Sequence, residues 1–380
     1  MADCGGLIDQ VALSLPARFL KDRPSTEWFE PLVPIGNLLK SLPAETEALL
    51  LIDPACEGQA GRWLAALSVS CRVRLVPLAD AAFKQESPWV QDAFHARIHS
   101  HSHPAPVEIL TLEGRTEGAS FAAFLNIPAR DALIDLPGGN QLLGDDFRLV
   151  GHQGLVGDSG KGSQITPRLQ ALDDRPIKIY GYRSTDLAAV RADGDGRTFS
   201  PAAGDWREKS LHLEGGLHQF GFHVDQFVSV TGLRRGNRPL LLVAEPHLPE
   251  GPIVPLVEDA RRRLQASVHV LREQGFEIMR NPVPWVVTPD SGKRLPRLYN
   301  NVMIENETRQ EDDRPLVWLP QFSDVEPLSV FDRMNREIWE ALGFEVVPVF
   351  GWSYFASRNG ALRCATKVLH RSARSIKAPG

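Results

Sequence analysis

The chain is poor in cysteine. It carries four in 380 residues, Cys4, Cys56, Cys71 and Cys364, with no Cys-X-X-Cys pair. That scatter argues against a disulfide framework and a thiolate zinc site, and it fits a reducing cytoplasm. No apolar run approaches the roughly 20 residues of a membrane span. Residues 1–15 lack a basic segment followed by an apolar core, so no secretory signal is read there. Long basic blocks are missing too, and a formal charge of −5 gives nucleic acid no footing. What is present is a globular composition, 43% hydrophobic and 23% charged, punctuated by 29 prolines and 31 glycines. Many turns and short elements follow.

Residues 1–26, interrupted by Pro16 and Pro24, read as an irregular segment. Thereafter strand and helix patterns alternate, giving an α/β chain. The order strand–strand–helix–strand recurs at a spacing of about 70 residues. It is clearest around the helices at 257–274 and 328–342, which end in matching Gly275-Phe276-Glu277 and Gly343-Phe344-Glu345 stops. Ala132–Leu136 and the aromatic run Phe350–Phe355 read as further strands. With no linker between repeats, residues 1–380 are expected to form one domain. The histidines His99, His101 and His103, beside Pro104 and Pro106, read as a solvated turn rather than a metal site.

Four stretches carry chemistry. His223-Val224-Asp225-Gln226-Phe227 precedes an apolar run and reads as a strand, which would put His223 and Asp225 on one face. Trp89-Val90-Gln91-Asp92 places a carboxylate at a strand end. Pro137-Gly138-Gly139-Asn140 reads as a tight turn between strands. Arg363-Cys364-Ala365-Thr366-Lys367 sets a late thiol just past the Asn359-Gly360 turn and beside a guanidinium, which favours the thiolate.

In this order the four stretches resemble the guanidino-group-modifying enzymes of the pentein fold, over roughly residues 85–371. Within that group they look most like the catalytic domain of protein-arginine deiminases. The resemblance implies an α/β-propeller of strand–strand–helix–strand units about a pseudo-fivefold axis. It also implies a Cys-dependent hydrolase that converts peptidyl arginine to peptidyl citrulline and ammonia. A guanidinium is a planar permanent cation with five N–H donors, and a dry pocket must meet it with carboxylates. By the resemblance these are Asp92 and Asp225, with Trp89 over the aliphatic stem. Cys364 is then the nucleophile and His223 the acid and base. Arg115 lies where such relatives grip the substrate backbone.

The chain departs from the pattern in places. The family usually reads His-Cys-Gly-Thr-Asn around the nucleophile, and here Arg363 and Lys367 add charge that could activate the thiol or fill the pocket. Pro137 stands where many relatives hold a glutamate. Ala93 and His95 replace the acidic calcium ligands of the vertebrate enzymes, so no metal or cofactor is expected, although Glu117, Asp145 and Asp146 could supply carboxylates. The expected partner is an arginine-bearing peptide or protein, with a homodimer left open. The alternatives are a deiminase of free arginine or agmatine, an amidinotransferase, and a non-catalytic pentein that binds a partner.

Overall fold

A computed structural model describes residues 1–21, 30–78, 87–98, 107–156, 162–183, 185–186, 217–252, 254–288, 292–311, 313–324 and 328–372. The histidine-bearing segment 99–106 lies outside these residues. Among the described residues, five small sheets share one plan: a strand pairs antiparallel with the next, a helix follows, and a third strand joins parallel to the second.

Unit I runs Phe94–Ile98, Val107–Thr111, helix Glu117–Leu125 and Ala129–Asp131. Unit II runs Gln141–Leu143, Arg148–Gly151, helix Gly162–Leu172 and Ile177–Tyr180. Unit III, the longest, runs Val228–Arg235, Arg238–His247, helix Pro255–Glu273 and Glu277–Val287. Unit IV runs Met303–Ile304, Leu316–Gln321, helix Ser329–Ala341 and Glu345–Phe350. Parallel neighbours cannot be joined by a tight hairpin, which is why a helix crosses between the last two strands of each unit. The helices of units III and IV stop where Gly275 and Gly343 take φ of 96° and 92°, values that a β-carbon disfavours.

Unit V is assembled from both ends of the chain. Its first strand, Thr366–Ser372, pairs antiparallel with Leu7–Leu15, which runs parallel to Glu47–Ile52 after helix Leu32–Ser41. The irregular reading of residues 1–26 is therefore corrected for 7–21, while 22–26 lie outside the described residues. Ile8, Val11, Leu13 and Leu15 are fully buried between two partner strands, and Ala17–Lys21 is a short helix. Two expected strands are also absent. At Ala132–Leu136, Leu133 adopts φ 55° and breaks the extended run. At Phe350–Phe355, Gly351 turns the chain at φ 96° and Ser353–Ala356 is helical.

The sheets remain separate and close into no barrel among the described residues. Trp285, Trp318, Trp339 and Trp352 lie fully buried in the largest core cluster, which joins units II, III, IV and V. A second cluster packs unit V against unit I, and a third lies between units I and II.

Candidate active site

Each unit enters its first strand through a tight turn, and these turns carry the candidate residues. Each is closed by a backbone bond to a carbonyl three residues earlier. The bonds are Asp92 N to Trp89 O (3.1 Å), Asn140 N to Pro137 O (3.0 Å), Phe227 N to Val224 O (3.2 Å), Asn301 N to Leu298 O (3.0 Å) and Thr366 N to Arg363 O (3.1 Å). Val224–Gln226 is thus a 3-10 turn rather than a strand, and Val90–Asp92 and Gly138–Asn140 are turns of the same kind. Gln226 fixes the first of these. Its Oε1 accepts from Phe222 N (2.8 Å) and His223 N (3.1 Å), and its Nε2 donates to Asn359 O (2.8 Å), tying the His223 turn to the loop before Cys364.

The structure brings Asp92, His223, Asp225 and Cys364 together around Gly139. The Gly139 N–H donates to Asp92 Oδ1 at 2.7 Å, and His223 Nδ1 lies 3.7 Å from Asp92 Oδ2. A β-carbon on Gly139 would sit 2.4 Å from His223 Nδ1 and 3.2 Å from Asp225 Oδ1, so only glycine allows this approach. Cys364 Sγ is 3.5 Å from Asp225 Oδ2. The other Asp225 oxygen, Oδ1, is buried without a hydrogen-bond partner. An unpaired buried carboxylate oxygen is costly and marks an acceptor awaiting a donor.

Sequence reasoning missed Asn301. Its Oδ1 accepts from Cys364 N (2.9 Å), and its Nδ2 donates to Cys364 Sγ (3.2 Å) and to Asp225 O (3.1 Å). The available signal was positional, because Asn301 lies in the turn before the first strand of unit IV, as Asp92, Gly139, Asp225 and Cys364 lie in the corresponding turns of the others.

Trp89 lies at the edge of this group, edge-on to Phe355 (centroids 5.6 Å) and over Gly360, where a β-carbon would come within 2.4 Å of its ring. Arg115 is turned elsewhere. Its Nη1 donates to the Asp92 carbonyl (3.0 Å) and its Nη2 lies 3.7 Å from Asp135. It braces the Asp92 turn from outside.

Arg363 and Lys367 do not cover the thiol. Neighbours on a turn diverge, and Arg363 runs beneath Asp225, donating from Nη1 to Oδ2 (2.6 Å) and from Nε to Asp3 Oδ1 (3.0 Å). Lys367 Nζ reaches Gln91 O (3.2 Å) behind Gly138. The thiolate expectation is accordingly reversed. Burial, then Asp225 and Asp92, hold the Cys364 pKa well above its ordinary value, and the favourable effect of Arg363 is the smallest of the influences. Burial likewise raises Asp225, against the pull of Arg363 and His223.

The carboxylates considered for a metal are scattered. Glu117 begins the unit I helix, Asp145 accepts from Cys4 (3.8 Å), and Asp146 pairs with Arg234 (3.1 Å). Among the described residues no cluster of three or more His, Cys, Asp or Glu side chains is placed to hold a metal. No described helix is long and apolar enough to cross a membrane.

No family model and no curated protein matches the chain. Solved structures do. The agmatine deiminase of C. jejuni superposes with a TM-score of 0.62 at 14% identity, covering 97% of this chain and 95% of that one. The agmatine deiminase of Enterococcus faecalis gives 0.61 at 12% identity, covering 97% and 94%. A third structure, provisionally named a peptidyl-arginine deiminase, gives 0.60 at 15%, covering 98% of each chain. At these identities the likeness is one of fold: this chain has the α/β fold of the deiminases over nearly its whole length.

Proposed function

We propose that residues 1–380 form one catalytic domain, its five units set about a pseudo-fivefold axis, that hydrolyses the guanidinium of a small molecule such as agmatine or free arginine. The observation that carries this reading is the pocket's charge. Two carboxylates flank a thiol, and one carboxylate oxygen has no donor. The substrate class follows from burial. Asp225, Cys364 and His223 are 0%, 3% and 7% exposed, which suits a small ligand enclosed from water better than an arginine on a peptide held at an open rim. Agmatine deiminases are among the whole-length structural neighbours, as is the structure provisionally named a peptidyl-arginine deiminase.

In this mechanism the substrate's N–H donors meet Asp225 Oδ1 on one side and Asp92 on the other. The arriving cation offsets the two carboxylates that keep the thiol protonated, so the thiol proton passes to His223 and the thiolate forms beside its electrophile. Cys364 attacks the guanidinium carbon, held by Asn301. His223 delivers a proton to the departing nitrogen, and ammonia leaves a thiouronium on sulfur. His223 then takes a proton from water as it adds to the same carbon, and cleavage of the C–S bond releases a ureido product.

A ureido assay on agmatine, free arginine and doubly blocked arginine ester, with and without chelator, tests the reading. The highest kcat/KM should belong to an unblocked small guanidine and should survive chelation. A clear preference for the blocked ester would restore the protein-arginine reading.

A further inference from the structure

Behind the Asp225–Arg363 pair lies a cavity of about 80 Å³. Its lining includes none of Asp92, His223, Asp225 or Cys364, so it is not the substrate pocket. Among its described lining residues Arg97, Arg148, Arg363, Lys367 and Arg371 are cationic, and Asp3 and Asp173 are the only carboxylates.

Pairing these charges leaves a surplus. Arg148 Nη2 is matched by Asp173 at 2.9 Å, and Arg363 by Asp3 and Asp225 at 2.8 and 2.6 Å. Arg371 donates to backbone carbonyls of Gly5, Ile304 and Asp3. Lys367 has three donors, and its ammonium makes one hydrogen bond, to Gln91 O. It is 7% exposed. No carboxylate among the described residues lies within salt-bridge distance of Lys367 or Arg371. Burial, then Arg363, push the Lys367 pKa down to about 7, against the more distant pull of Asp3, Asp92 and Asp225.

A buried ammonium with unused donors in a water-sized or larger space calls for an acceptor carrying charge. We propose that this cavity binds a small tetrahedral oxoanion of the phosphate kind, with Lys367 as its principal ligand and Arg97 at the mouth. The volume holds a few waters or one such ion. Arg97 is 31% exposed, and its carboxylate partner Glu108 is 3.9 Å away, so its guanidinium has room to turn toward an incoming anion.

The test is calorimetric titration of the full chain with inorganic phosphate at pH 6.5 and constant ionic strength, with chloride as the control salt. No substrate is present, so the outcome is independent of the proposed deiminase activity. Wild type should show saturable one-to-one binding that chloride does not reproduce. Lys367→Met, which keeps length and removes charge, should weaken it at least about tenfold, and Arg97→Gln severalfold. If Lys367→Met does not fold, the half-exposed Arg97→Gln decides alone. Absence of saturable binding in wild type, or an affinity that the folded variants leave unchanged, overturns the proposal.

Discussion

The two sides of Asp225 are opposites. In front, toward His223 and Cys364, a carboxylate oxygen lacks a donor and the thiol is surrounded by negative charge. Behind, toward Gln91 and Gly138, the Lys367 side chain makes one hydrogen bond and has no carboxylate among the described residues at salt-bridge distance. The Arg363–Asp225 ion pair at 2.6 Å separates them. Proteins rarely bury uncompensated charge unless a ligand completes it. On the proposed readings the front takes a cation and the back an anion. Arg363 pulls the Asp225 pKa down against burial and bonds Oδ2, leaving Oδ1 without a donor.

The sharpest way to break the front half of this comparison is to remove the sulfur. Cys364→Ala should lower turnover by at least about ten-thousandfold, while its thermal unfolding stays close to that of wild type. Residual turnover within tenfold or so of wild type would leave Cys364 as packing.

Next in size is the wall. In Arg363→Met the Asp225 carboxyl loses its counter-ion, so its pKa, already raised by burial, rises further. Below that pKa the carboxyl is neutral and binds guanidinium poorly. The kcat/KM of the variant should therefore fall by about a hundredfold at pH 6 and recover as pH rises. A pH-independent loss would mean that Arg363 acts only through packing.

Asn301→Ala removes both side-chain bonds to Cys364 and should cost about tenfold in kcat with a small change in KM. A change confined to KM would place Asn301 on the substrate instead.

The smallest signal is in the free enzyme's thiol. Because burial and two carboxylates raise the Cys364 pKa, inactivation by iodoacetamide should be slow at neutral pH and still be climbing as pH passes the ordinary thiol value near 9. A rate that levels off below pH 8 would show a thiolate already poised.

Much of the scaffold was legible because its long elements have periods. The helices at 255–273 and 329–341 and their following strands stand out through apolar spacing and a glycine stop. The site residues were legible as types in order, but not as geometry. A three-residue 3-10 turn is too short to show any period, so Val224–Gln226 read as the start of the strand that follows it. The fifth unit escaped because its strands Thr366–Ser372 and Leu7–Leu15 sit at opposite ends of the chain, where a repeat sought in chain order cannot find them. Arg363 misled for a related reason: adjacency to Cys364 in sequence says nothing about which way a side chain leaves a turn. Asn301 sits in no recognisable motif, and its role emerges only when five turns are laid over one another.

The most direct test is to acid-quench the enzyme during turnover of agmatine and, separately, of free arginine, and to weigh the intact protein and its peptides. The expected result is a species heavier than the enzyme by the substrate minus ammonia, mapped to Cys364 and absent in Cys364→Ala. Ammonia release from either substrate by Cys364→Ala at the wild-type rate, with no adduct on Cys364 in the wild type, would contradict a pocket built for nucleophilic attack on a guanidinium.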